Sequence, residues 1–422
     1  MHSSRYADLQ QPVPDRRLLT VRELPVTSEP RCRRHDALLR FPDGLHYAHH
    51  DMYFELEGER LPPPPDRLDY LVLALLFFAM RHDTDLHVEG AVSGALLDNL
   101  EEFQRAWAMW RPDSYRPVRI TAAQELETSA PRPGRRAVVP ISGGVDGTFS
   151  LLQHCGVQQA RDRRQLVSAM LIHGFDVPLA AEGAFGILRE HAEATAAFAG
   201  LPLTVVKTDW RNFSLDWEDD FASGLAACLH LFSGGAEYGL MSAGADYTRL
   251  VFPMGENPIT NSMMSSDHFQ IQMVGYSAGR TSKVAAIASA DDLASHLRVC
   301  WEGPVTGRNC GHCEKCVRTK LNFLAAGARP PDVLGAVPGP RDVLALRAKT
   351  LSSIRMLLDI REAGRAGSLS PTIKWALEIC LAKNWLLLGL RGLRRALRRV
   401  FRIIVSKTVR SDQCPLSPNP SD

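Results

Sequence analysis

The stretch from Ala137 to Ser150, Ala-Val-Val-Pro-Ile-Ser142-Gly143-Gly144-Val145-Asp146-Gly147-Thr148-Phe-Ser, restricts the fold of this chain more than any other segment. A short apolar run passes through a glycine-rich turn into a helix-forming sequence. Strand, glycine loop and helix start in that order are how α/β proteins hold phosphate. Glycine admits positive φ and lets the backbone approach an anion closely. Successive amide N–H groups then converge on its oxygens, and the helix N-terminus adds partial positive charge. Ser142 and Thr148 offer hydroxyl donors, and Asp146 offers a ligand for magnesium or a helix cap.

The sequence around this loop alternates between strand and helix patterns. Strands are expected at Arg136–Ile141, Leu166–His173, Leu203–Thr208 and Tyr238–Ala243. Helices are expected from Thr148, at Glu182–Gly200 and at Phe221–Phe232. That alternation predicts a doubly wound parallel sheet with helices on both faces. Ligands of such sheets sit at the carboxyl ends of the strands. His173 and Asp176, after the second strand, are therefore further candidates for nucleotide contact.

Proline-rich breaks at Leu61–Pro65, Pro131–Gly134 and Arg329–Pro340 divide the chain. The divisions suggest an N-terminal α+β domain over 1–134, a nucleotide-binding domain over 135–330 and a helical region over 331–422. Leu45–Leu56 reads as a strand. Tyr70–Met80 is an apolar run too short to span a bilayer and fits a buried helix. Met1–Pro14 is polar and has no secretory pattern, so a cytoplasmic location is expected.

Cys300, Cys310, Cys313 and Cys316 have the spacing C-x9-C-x2-C-x2-C. Thiolates two residues apart fold around one tetrahedral ion, and Gly311 supplies the turn between the first two of the knuckle. Four sulfurs with no open position make a structural site, for which zinc is the expected metal; an iron–sulfur cluster also accepts four thiolates. His312 is expected outside the ligand set. The nine cysteines, an odd number with four clustered, do not suit a disulfide scaffold.

The loop lacks the wider glycine spacing and the lysine of a Walker A motif. It resembles the Ser-Gly-Gly-x-Asp-Ser signature of the PP-loop ATP pyrophosphatases (a HUP-like fold). Together with the downstream cysteine cluster and Val317-Arg318, it resembles the 7-cyano-7-deazaguanine synthase branch of that family over roughly Arg136 to Leu324. The resemblance implies cleavage of ATP to AMP and pyrophosphate, with adenylation of a carboxylate that ammonia or an amine then attacks. It implies ATP and magnesium on Ser142, Gly143, Gly144, Val145, Asp146, Gly147 and Thr148, and structural zinc on the four cysteines. Gly147 replaces the signature serine. Met254–Asp267 stands where the branch carries a Tyr-Pro-Asp-Cys-Arg-type segment, so a different carboxylate substrate is expected.

Arg280 and Lys283 at a helix start are candidates to stabilise the pyrophosphate in the transition state. Ser265, Ser266 and Asp267 are candidate substrate contacts. The segment Leu390–Ile404 is amphipathic, and from Lys383 to Arg410 there are nine Lys or Arg and no acid. It suits docking on the catalytic domain, an acidic partner protein, an anionic membrane surface or RNA. Self-association is also compatible with the sequence. Two other functions fit the same motifs: a tRNA-modifying PP-loop enzyme, and a zinc-bearing binding module that no longer hydrolyses nucleotide.

Overall fold

The computed structural model describes residues 18–127, 134–155, 161–290, 292–300, 305–348, 350–366 and 368–390. Met1–Pro14, Pro131–Pro133, Trp301–Pro304 and Arg391–Asp422, which include most of the basic amphipathic segment, lie outside the described residues.

Eleven strands form one mixed, largely parallel sheet. Its N-terminal part comprises β1 (Leu18–Glu23), β2 (Thr27–Glu29), β3 (Cys32–Arg40), β4 (Asp51–Gly58), β5 (Asp85–Ser93) and β6 (Ile120–Leu126). The remainder comprises β7 (Arg136–Pro140), β8 (Gln165–His173), β9 (Leu203–Thr208), β10 (Tyr238–Ser242) and β11 (Gln270–Val274). The order is β11-β10-β7-β8-β9-β4-β3-β1-β5-β6, with β2 paired to β3. Strands β7 to β11 are mutually parallel. The sheet continues past Gly134 because β4 pairs antiparallel with β9, Phe54 opposite Thr208 and Gly58 opposite Thr204.

Both faces of the parallel part are covered, so its strands read as apolar runs. Helices α1 (Asp69–His82), α2 (Gly94–Trp110) and α5 (Trp217–His230) contribute to the core that receives Val138, Met170 and Val206. Helices α3 (Val145–His154) and α4 (Glu182–Phe198) share the opposite core with Val139, Leu171 and Val205. Every residue from Tyr70 to Met80 is buried, as expected of a helix that is apolar all round. Helix α4 stops before Gly200, whose φ of 66° provides the left-handed residue of a C-terminal cap.

Three details differ from the sequence pattern. Tyr47 is in a loop before β4, with its ring stacked on Phe213. Helix α5 starts a turn early, where the Asp220 carboxylate accepts the amides of Leu215 and Asp216. Strands β1, β2, β3, β5, β6 and β11 have no counterpart among the expected strands.

After the sheet come α6 (Arg280–Ala288), α7 (Glu314–Ala325), α8 (Pro340–Ala345), α9 (Leu351–Ala363) and α10 (371–390). Helices α7 to α10 share a core that includes Leu321, Val343, Ile354, Leu357 and Leu377. Among the described residues, no helix is long and apolar enough to cross a membrane.

Two helical glycines test the packing in opposite directions. A Cβ at Gly224 in α5 would lie 2.6 Å from the buried Trp210 ring, whereas one at exposed Gly186 in α4 would meet nothing within 4 Å. Gly186→Ala should stabilise the protein by about 0.5–1 kcal/mol through helix propensity. Gly224→Ala should destabilise it by about 1–3 kcal/mol, because overpacking outweighs the same propensity gain. Urea denaturation of the two variants checks both signs.

Candidate functional site

The strand order reverses between β7 and β10, so a crevice opens beyond the carboxyl end of β7. The Ser142–Thr148 loop lies there. Gly143 has a φ of 74°, and its carbonyl accepts the Arg298 N–H at 2.8 Å. A Cβ at Gly143 would approach the Arg298 backbone nitrogen to 3.0 Å, so this turn needs glycine twice over. Gly144 is the N-cap of α3, and no side chain caps that helix. Its first-turn amides are the groups a helix leaves without intrahelical acceptors.

Gly147 is also a close-approach position. A Cβ there would lie 2.9 Å from the Pro140 carbonyl oxygen, a backbone atom that cannot swing aside. The structure therefore has no room for the serine of the PP-loop signature at this site. Other hydroxyls differ in use. Ser142 is exposed. Thr148 is buried, and its hydroxyl has no hydrogen-bond partner. Ser150 accepts a 2.8 Å bond from Ser242. Val145 packs with Phe149, Val284 and Ile287, so only its backbone is available to a ligand.

Asp146 is the focus of the charges. Its carboxylate meets the Arg280 guanidinium at 2.8 Å and the Lys283 ammonium at 3.3 Å. Burial opposes ionisation of Asp146, but Arg280 and Lys283 outweigh it and hold the carboxyl below its ordinary range. Lys283 is 1% exposed and also donates to the Ala243 carbonyl at the end of β10. The N-terminus of α6, which carries both cations, is capped from α9. Asp359 accepts the Thr281 N–H and hydroxyl, each at 3.0 Å.

Two further cations reach Asp146 electrostatically from the first turns of α7. Burial draws Lys315 and Arg318 below their ordinary ranges, while Asp146 opposes the shift in each. Arg318 is paired with Glu314 at 3.0 Å. Glu256 completes the group: it accepts the Gly244 N–H at 2.7 Å and the Tyr276 hydroxyl. Burial raises its carboxyl to about 7, with Asp146 adding to the shift and Lys283 resisting it. Lys315, Arg318 and Glu256 are absent from the principal candidates drawn from sequence. The available signal was their position beside motif residues: Lys315 and Arg318 flank Cys316 within the knuckle segment.

Not every sequence candidate joins this group. His173 is stacked on Phe185 at 3.8 Å, and its Nε2 lies 3.2 Å from the Pro178 carbonyl oxygen. Its ring is taken up by packing, and burial lowers its pKa. Asp176 is exposed beyond β8 and acts electrostatically on Lys315. Ser265, Ser266 and Asp267 precede β11, at the amino end of the parallel strands and so at the sheet edge opposite the loop. There Asp267 pairs with Arg67 at 2.8 Å, and Ser265 accepts the Ile271 N–H at 2.9 Å.

The four cysteine sulfurs all lie within 4.8 Å of one another. Cys300 and Cys313 are 3.7 Å apart, and Cys310 and Cys316 are 4.0 Å apart. A tetrahedron with metal–sulfur bonds of ~2.3 Å has edges of ~3.8 Å, whereas a disulfide would require ~2.05 Å. The set could hold a zinc ion. Cys310 Sγ accepts the Cys313 N–H and Cys313 Sγ accepts the Cys316 N–H, so backbone dipoles favour thiolates. Gly311 has a φ of 79° in the knuckle turn. His312 is exposed, with Nδ1 2.7 Å from the Cys310 carbonyl oxygen. Buried Lys320 braces the turn through the carbonyls of Gly311 and Ala336. Because Cys313 caps α7, the knuckle fixes the helix start that presents Lys315 and Arg318.

Compared with protein-family models, with curated proteins and with solved structures, the chain matches none.

The metal-binding reading makes a direct forecast. Cys310→Ser should lose bound zinc, measured by atomic absorption on the purified protein, and should lower Tm by several degrees. Structural zinc supplies about 10–16 kcal/mol of apparent binding energy to local folding in small zinc domains. Equal metal content in wild type and variant would remove Cys310 from the ligand set.

Glu256 makes another. Its folded pKa, about 7, lies above its ordinary value of 4.5, so the neutral carboxyl contributes stability at low pH that is lost as pH rises through that interval. Glu256→Gln lacks this titration. The Tm advantage of wild type over the variant should therefore shrink between pH 5 and pH 8, as read by thermal melts at a series of pH values.

Proposed function

We propose that the protein is an ATP-dependent adenylating enzyme that splits ATP into AMP and pyrophosphate and activates a carboxylate for attack by ammonia or an amine. It is similar to 7-cyano-7-deazaguanine synthase in plan, with a different carboxylate substrate. The observation that carries this reading is the pairing of Arg280 and Lys283 with Asp146 beside an uncapped helix start. Two cations gathered on one carboxylate at such a helix start suit a polyphosphate better than a neutral ligand. The order of β7 to β11 supports a doubly wound, PP-loop-like domain around the crevice.

In this mechanism the loop amides of Ser142–Thr148 seat the ATP phosphates and present the α-phosphorus to the substrate. A carboxylate oxygen forms a bond to that phosphorus as the bond to the bridging oxygen breaks, and pyrophosphate leaves. Arg280 and Lys283 stabilise the charge on the departing pyrophosphate. Nitrogen then attacks the acyl carbon, AMP leaves, and the nitrogen gives up a proton. The Asp146 carboxylate, held ionised with acceptor capacity beyond its two ion pairs, is the group suited to magnesium. Magnesium there supplies charge neutralisation for the phosphates. The cysteine site, with zinc, has the separate task of holding the start of α7.

Binding and turnover test this reading separately. A non-hydrolysable ATP analogue should bind in calorimetric titration only when magnesium is present, and Asp146→Ala should abolish that dependence. With candidate carboxylates and ammonia, the enzyme should release AMP and pyrophosphate. Lys283→Ala should lower that rate by about 10²–10³-fold, the usual cost of removing one preorganised transition-state donor. Magnesium-independent binding, or release of ADP and phosphate, would overturn the proposal.

A further inference from the structure

Helix α10 has one face committed to the fold. Ile373, Ala376, Leu377, Cys380 and Leu381 are buried in the core shared with α7 and α9. Asn384, fully buried, fixes its rotation: its amide donates to the Leu346 and Cys380 carbonyls, and its oxygen accepts the Ala348 N–H at 2.8 Å. Lys383 adds a 2.9 Å bond to the Leu346 carbonyl.

The opposite face is apolar and exposed. Trp375 is 63% exposed and Leu386 66%, with Ile379, Trp385 and Leu390 also open to solvent. At 100° per residue, Trp375, Ile379, Leu386 and Leu390 fall within an arc of about 60°, with Trp385 about 80° from its edge. Glu378 is the one charged side chain exposed among them. Exposed apolar surface of this extent marks an interaction site.

Charge indicates what that surface meets. The sequence immediately after Leu390 carries six arginines between Arg391 and Arg402, and no acid as far as Arg410. The same 100° period, read through the sequence, returns Leu393, Leu397, Val400 and Ile404 to the side of Trp375 and the arginines to the other. Tryptophan and leucine on one side with arginine on the other is the pattern of a helix lying in a membrane interface.

We propose that the exposed face of α10 docks the protein on an anionic lipid surface, with Trp375, Ile379, Trp385, Leu386 and Leu390 at the boundary between headgroups and acyl chains. The basic sequence that follows engages the acidic headgroups. The docked Asn384 side of α10 keeps the helix on the surface, because spanning would strip that side from the protein core.

Flotation of the full chain with lipid vesicles tests this. Phosphatidylcholine vesicles containing phosphatidylserine should carry at least about tenfold more protein than phosphatidylcholine alone, and added salt should weaken the association. The double variant Trp375→Glu, Leu386→Glu should stay in the dense fraction with an unchanged Tm, since both side chains are exposed. Failure of wild type to float with anionic vesicles, or equal flotation of the double variant, would overturn the proposal. A dimer in light scattering that the double variant dissociates would assign the face to a second copy of the chain and overturn it as well.

Discussion

The pairing of Asp146 with Arg280 and Lys283 connects most of the functional half of the molecule. It ties the loop after β7 to the start of α6, which Asp359 in turn caps from α9. Lys283 extends the link to the end of β10 through Ala243. Glu256 adds a second carboxyl to the group, raised by burial and by Asp146.

The cysteine knuckle serves the same site from a distance. Cys313 is the N-cap of α7, and Lys315 and Arg318 follow within that helix's first turns. The four cysteines, which could hold a zinc ion, and Lys320 bracing the turn lie at that helix start. The position of Gly147 follows a different constraint. The approach of α3 to Pro140 would put a Cβ 2.9 Å from a backbone oxygen, which gives glycine a steric reason at this position.

Much of the core architecture was legible because it depends on short-range periodicity. Apolar runs bounded by glycine and proline marked β7, β8, β9 and β10, and the all-apolar Tyr70–Met80 run marked a buried helix. Cysteine spacing marked a cluster whose sulfurs do come together. Candidates drawn only from loop position fared differently. His173 was attracted into aromatic packing with Phe185, and Ser265–Asp267 follow a chain reversal that puts them at the other sheet edge. Glu256 stood out only weakly in its loop, since its raised pKa arises from burial and from Asp146, more than a hundred residues away in sequence.

By itself, then, the sequence determined which segments are strands or helices near the loop, that the loop can turn tightly at Gly143, and that four thiols are spaced to share one ion. These follow from steric rules and periods that act over a few residues. Tertiary structure alone decided that β4 joins the parallel strands through β9, that Lys315 and Arg318 reach the same crevice as Arg280 and Lys283, and that α10 exposes its tryptophans. Those outcomes depend on desolvation, long-range charge and which helix face finds a partner, none of which is encoded in local spacing.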